Sequence, residues 1–164
     1  MNENNKVISP GDPIPNATVQ IKTELGIKNV ETASFFRDCR AVMFAVPGAF
    51  TPTCSAKHLP SFVENAEKLK ASGFDKIVCL SVNDAHVMRE WSVANKAEKI
   101  IDFLADPHME FTRSLGIARD MGSVLGIRAA RCAITITKGN VEKVFLEAPS
   151  SFDVSSAENV LLNL

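Results

Sequence analysis

The chain has no long apolar run, no surplus of either charge and no paired-cysteine motif. No stretch reaches the roughly 18 consecutive apolar residues needed to span a bilayer, so a membrane is not an expected partner. Eighteen Lys and Arg against 19 Asp and Glu leave a net charge of -1. The basic excess of a nucleic-acid or anionic-lipid binder is missing. The opening MNENNKVISPGDPIP has neither a basic n-region nor an apolar h-region, and it lacks the Arg-rich, acid-poor character of a transit peptide. The expected compartment is the cytosol, or an organelle matrix if a presequence has been removed. Cys39, Cys54, Cys79 and Cys132 are too sparse for a disulfide scaffold, and no pair has C-x-x-C spacing. Repeats, low-complexity tracts and linkers are absent too. A length of 164 residues with 46% hydrophobic and 23% charged side chains therefore predicts a single domain over residues 1–164.

Periodicity outlines an α/β protein. Residues 17–31 alternate briefly (Val19, Ile21) and carry Gly26, which predicts a two-stranded ribbon beside the main sheet. The continuous apolar run Ala41–Val46, closed by Pro47-Gly48, predicts a strand buried on both faces, as in a parallel sheet. Phe62, Ala66 and Leu69 then fall at helical spacing up to Gly73, with Pro60 expected to kink the start of that helix. Strands follow at Lys76–Val82 and Ile101–Ala105, separated by a helix that Asp84 can cap and whose Val87, Trp91 and Ala94 share a face. A short helix near Glu110–Leu115 precedes a hairpin, Cys132–Thr137 and Val141–Glu147, turning at Lys138-Gly139-Asn140. Ser155 and Glu158 have capping-box spacing ahead of a last helix. This order predicts a thioredoxin-like fold: a central mixed sheet flanked by helices, with an N-terminal β-ribbon.

The chemistry concentrates in PGAFTPTCSAKH, residues 47–58, between the exit of a buried strand and the entry of a helix. Ligands of open α/β sheets gather at such places. Cys54 is expected in the first helical turn, where free N–H groups and the helix dipole favour an anion, so a thiol there ionises more readily and becomes a nucleophile. A free cysteine is often only a small buried hydrophobe, but the rigid turn of prolines and threonines before Cys54 argues for a reactive role. Thr51 stands where a dithiol motif would have its first cysteine, so two-thiol exchange across this turn is excluded. Its hydroxyl can accept one hydrogen bond while donating another; its bland alternative is a helix N-cap.

PGAFTPTC carries the P-x-x-x-T-x-x-C signature and resembles the peroxiredoxins; followed by SAKHLPSF, it is similar to the Prx5 subfamily, the plant-type type II peroxiredoxins. Further similar blocks are KIVCLSVND (76–84), LGIRAARCAITI (125–136) and the terminal VSSAENVLLNL. The resemblance implies reduction of hydrogen peroxide and alkyl hydroperoxides with neither metal nor other cofactor. It makes Cys54 the peroxidatic cysteine, Pro47 its shield, Thr51 the residue that orients the peroxide, and Arg131 the cation, with Arg128 in competition. Arg131 is preferred because a strand beginning near Cys132 would hold it at the strand edge, leaving Arg128 in the preceding loop. A C-terminal resolving cysteine is absent; Cys79 is a possible resolving residue, but a disulfide to it would require the first helical turn to unfold. Direct regeneration by glutaredoxin with glutathione, or by thioredoxin, is the simpler expectation. The resemblance also implies a homodimer, with Phe50 and the short helix ending at Leu115 as contributors.

Other residues have plainer readings. His58, four residues after Cys54, suggests zinc binding or thiol activation only weakly. His86 and His108 read as surface residues, Trp91 as core, and Cys39 as an exposed thiol without a task. Two alternatives use the same Cys54: a glutathione-handling thiol transferase of this fold, and a redox-sensing binding module. Rapid peroxide consumption by pure protein with a thiol donor separates the peroxidase from both.

Overall fold

The computed structural model describes residues 6–164. At the centre of its sheet, β3 (Arg40–Ala45), β4 (Lys76–Ser81) and β5 (Asp102–Ala105) run parallel. On one side β8 (Cys132–Thr137) lies antiparallel to β3, and β9 (Asn140–Leu146) antiparallel to β8. On the other side the hairpin β1 (Thr18–Thr23) and β2 (Gly26–Glu31) is paired, and β1 meets β5 at Gln20 and Ala105, so the expected ribbon is an integral edge. The result is a seven-stranded mixed sheet in the order β2-β1-β5-β4-β3-β8-β9.

Alternation along β3 explains why a continuous apolar run was needed. Val42, Phe44 and Val46 enter one core with Cys79, Phe103 and Ala133, while Ala41, Met43 and Ala45 enter the other with Val78, Leu104 and Ile134. Over the first face pack α2 (Leu59–Glu64), α3 (Ala66–Ala71), α4 (Ala85–Ala94) and α7 (Ala157–Leu162). Over the second lie Phe36 of α1 (Thr32–Phe36) and Phe111 of α5 (Glu110–Ser114). A side chain caught between helices and sheet on both faces has no polar alternative, so strand and helix alike must supply apolar residues there.

Several local expectations are corrected. The kink expected at Pro60 takes the form of a π turn, Cys54–His58, in which the Leu59 N–H reaches back to Cys54 O. Proline has no N–H for the carbonyl four residues earlier and its ring crowds it, so the preceding turn widens. The helix beyond is interrupted at Asn65, whose side-chain amide donates to Ser61 O at 2.8 Å. Asp84 caps α4 through Val87 N at 3.0 Å, but the buried face is Ala85, Met88, Trp91 and Ser92; Ala94 is exposed. The N-cap of α7 is Ser156, which accepts from Asn159 N at 3.1 Å, and no capping box forms, because Ser155 and Glu158 bond elsewhere. The hairpin turn is Lys138-Gly139, both with positive φ (49° and 78°), the geometry that suits the twist of the flanking strands. A second small sheet, β6 (Ala118–Asp120) with β7 (Ile127–Ala129) around α6 (Gly122–Leu125), had no periodic signal, its strands being three residues each.

Candidate active site

Antiparallel pairing sets the site. Cys132 opens β8 opposite Ala45 at the end of β3, so the residue before it, Arg131, lies beside the point where the chain leaves β3 for the π turn. From there its Nη2 donates to Cys54 Sγ at 3.2 Å. Nη1 lies 3.0 Å from His58 Nδ1. The sulfur is thus met by a full positive charge at hydrogen-bonding distance, within a residue that is itself wholly buried.

The loop before Cys54 is pinned at several points. Asn83 Oδ1 accepts from Ala49 N at 2.9 Å and from Ser81 Oγ at 2.6 Å, tying the loop to the end of β4. Phe50 takes a left-handed φ of 63° and leaves its ring exposed. Thr51 stands at the head of the helical stretch, where its carbonyl accepts from Ser55 N at 3.0 Å, but its hydroxyl does not cap: it donates to Gly48 O at 2.7 Å, which spends the proton and leaves the oxygen lone pairs free to accept. Arg128 lies in β7, where a loop was expected. Its Nη1 donates to Pro47 O at 3.1 Å and its Nε to Leu125 O at 2.8 Å. It braces the loop and makes no bond to the sulfur. A Cβ at Gly48 would stand 2.8 Å from Arg128 Nη1, so a side chain there would push this brace aside.

His58 has a role that its sequence position did not reveal. Its Nε2 lies 3.0 Å from the Ser155 carbonyl, which can only accept, and its Nδ1 faces an arginine, which can only donate. The ring is therefore neutral, with the proton on Nε2 and a lone pair offered to Arg131. Burial and then the Arg131 charge press its pKa down to about 3. Both nitrogens are occupied, so the zinc and thiol-activation readings fail. Rings of Phe44 and Phe152 enclose it, with centroids 5.0 and 5.1 Å away. Next to Cys54, Ser55 Oγ accepts from Trp91 Nε1 at 3.0 Å, and Trp91 itself is core, edge-on to Phe103.

Cys79 is buried in β4 on the Cys54 face, and burial first, then the proximity of Cys54, pushes its thiol well above the ordinary range. Cys132 is pushed up to about 12 by burial. Cys39 is half-buried, with its pKa raised chiefly by burial. His86 and His108 are exposed, as expected, and His86 Nδ1 sits 3.0 Å from Lys22 Nζ. Beside Arg131 lies a cleft of about 830 Å³ bounded in part by Pro47, Thr53, Lys57 and Phe152. Asn83 and Glu147, which help to support the site, carried no sequence signal of their own, and the signal at Ser155 pointed to a helix cap instead.

A buried cysteine in the first turn after a parallel strand, met by an arginine on a thioredoxin-like sheet, defines a thiol-redox protein. The Redoxin family profile matches residues 9–161, and the chain belongs to that family. It is 42% identical over 160 residues to the chloroplastic Peroxiredoxin-2E-2 of Oryza sativa, covering 94% of this chain and 71% of the relative. Peroxiredoxin-2B of Arabidopsis thaliana is 38% identical, with 94% and 96% covered. The structure of reduced Prx3 from Vibrio vulnificus in complex with H2O2 superposes with a TM-score of 0.92 at 43% identity, over 96% of this chain and 99% of that one. Within the family the chain is a peroxiredoxin of the Prx5, plant type II kind, a thiol-dependent peroxidase.

Proposed function

We propose that Cys54 is the peroxidatic cysteine, acting with Thr51, Arg131 and Pro47 on hydrogen peroxide and alkyl hydroperoxides. The observation that carries this reading is the 3.2 Å bond from Arg131 Nη2 to Cys54 Sγ. In the reaction the thiolate attacks one peroxide oxygen and the O–O bond breaks. The sulfur is oxidised by two electrons to sulfenic acid, and the other oxygen leaves as an alkoxide or hydroxide that takes a proton from water. Thr51, its proton committed to Gly48 O, accepts from the hydroperoxide O–H and so fixes which way the substrate lies. The remaining N–H donors of Arg131 stabilise the charge that grows on the leaving oxygen. Pro47, at the cleft wall, helps to keep bulk water from the sulfur.

Regeneration is by an external thiol, with glutaredoxin and glutathione or thioredoxin as donors. Two thiols reduce the sulfenic acid, releasing water and a disulfide. The open cleft beside Arg131 supports this route. Cys79 is poorly suited to resolve the sulfenic acid in the folded chain, since its thiol is buried and kept protonated. We read residues 1–164 as one domain acting as a homodimer in the cytoplasm or an organelle matrix. Phe50, 57% exposed beside the site, supports the dimer, whereas Phe111 and Leu115 are buried in the core and contribute nothing to an outer surface. Among the described residues no helix is long and apolar enough to cross a membrane.

Rapid mixing of reduced protein with one equivalent of peroxide, followed by quenching and mass spectrometry, tests the assignment. One added oxygen on the Cys54 peptide within milliseconds is expected. Peroxide consumed with Cys54 unmodified overturns it.

A further inference from the structure

Glu147 follows β9 and is bonded to the site twice over. Its backbone N–H donates to Arg131 O at 3.0 Å, continuing the β8/β9 ladder past the last paired strand residues. Its carboxylate turns the other way and gathers the next loop. Oε2 accepts from the N–H groups of Asp153 (2.8 Å), Val154 (3.0 Å) and Ser155 (2.9 Å) and from the Ser155 hydroxyl (2.7 Å). Oε1 shares the Asp153 and Val154 donors. Half-burial works to raise this carboxyl, but these hydrogen bonds outweigh it and hold the group below the usual carboxylate range. These bonds favour its charged form.

The carbonyl of the same Ser155 is the acceptor for His58 Nε2, and His58 Nδ1 is the acceptor for Arg131 Nη1. Ser155 is therefore held on its N–H and O–H by Glu147 while its C=O fixes the His58 tautomer. Phe152, in the same loop, covers both the His58 ring (5.1 Å) and the Arg131 guanidinium (6.0 Å). We infer that Glu147 is a positioning residue for peroxide reduction: its carboxylate locks the 153–155 loop, which fixes neutral His58, which in turn aims Arg131 at Cys54. This rests on the reading of Cys54 as the nucleophile. An arginine carries several rotatable bonds, and among its described side-chain hydrogen bonds only those to His58 and Cys54 fix its fork, with the Phe152 ring lying over it. A charge-stabilising group loses much of its effect when displaced by even an ångström. The groups facing His58 are Arg131, Glu147 and the Ser155 carbonyl, so loss of Glu147 alters both the geometry and the charge around the ring.

The test compares Glu147→Gln, which keeps the size and removes the charge, in the wild-type and Arg131→Met backgrounds. Two quantities are read: the single-turnover rate with hydrogen peroxide, and the pH midpoint of Cys54 alkylation by iodoacetamide. In the wild-type background a rate loss of about tenfold or more and an upward shift of the midpoint are expected. In the Arg131→Met background the same change should cost less than about twofold, because residues acting through one another do not add. A merely structural Glu147 would lower the melting temperature, leave the midpoint in place and cost the same in both backgrounds, and either of the last two results overturns the inference. Should Glu147→Gln not fold, Ser155→Ala takes its place in the same comparison, with the same results supporting or overturning the inference. Failure of the underlying reading looks different: Cys54→Ser would then still reduce peroxide.

Discussion

Arg128 and Arg131 stand three positions apart and both reach the active-site loop, yet one braces a carbonyl and the other meets a sulfur. That difference fixes the expected kinetics. Arg131→Met removes a charge-assisted contact of about 2 to 4 kcal/mol, roughly 30-fold to 1000-fold in rate, and moves Cys54 alkylation to higher pH. Arg128→Met should loosen the Pro47 carbonyl and cost several-fold less; the reverse order in single-turnover rates would refute the assignment of the cation. Thr51→Val should slow the reaction with peroxide far more than that with iodoacetamide, because its hydroxyl has no proton left for the sulfur. His58 gives a prediction in pH. Its pKa falls from an ordinary 6.5 to about 3 on folding, so the unfolded chain takes up the proton first. The stability it contributes is present above pH 6.5 and is lost as the pH falls toward about 3, by up to about 1.4 kcal/mol per pH unit. Urea unfolding of His58→Gln across that range should show a shallower acid slope than wild type.

At the level of elements, Ser156 rather than Ser155 closes the start of α7. Ser156→Ala should therefore cost about 1 kcal/mol in urea denaturation and leave the peroxide rate within about twofold, as loss of an N-cap does elsewhere. Ser155→Ala should show the opposite balance. The sequence pattern pointed to the wrong serine because S-x-x-E reads only spacing, and the carboxylate that claims Ser155 lies in a strand-end eight residues earlier. The same limit separates what was legible from what was not. Cys54 and Thr51 were readable because their chemistry and their turn are contiguous, and the β3 run because double burial demands uniform apolarity. Arg131 required the resemblance, since only the β3/β8 register brings it to the thiol. His58, Asn83 and Glu147 act through contacts that join distant segments, and such contacts leave no period in the chain. The π turn was half visible: Pro60 announced a disturbance without saying which carbonyl would lose its partner.

On the scale of the whole molecule, the fold gives its thiols different surroundings, and only Cys54 is met by an arginine. Native Cys54→Ser should show Cys79 and Cys132 resistant to a thiol reagent until denaturant is added, with only half-buried Cys39 open to slow labelling. Fast native labelling of Cys79 would mean that β4 opens and would restore it as a resolving residue. The exposed Phe50 ring beside the site leads us to expect a dimer by light scattering at micromolar protein, weakened by Phe50→Asp; a monomeric mass would end that proposal. The bond between Trp91 and Ser55 has a further use. Trp91 is the molecule's sole indole, and its N–H is spent on the residue that adjoins Cys54. Any rearrangement of the turn on oxidation alters that bond, and with it the ultraviolet emission of a fluorophore shared with no other residue of the chain. Each catalytic cycle should thus be visible as a rise and fall of intrinsic light, without label, dye or coupling enzyme.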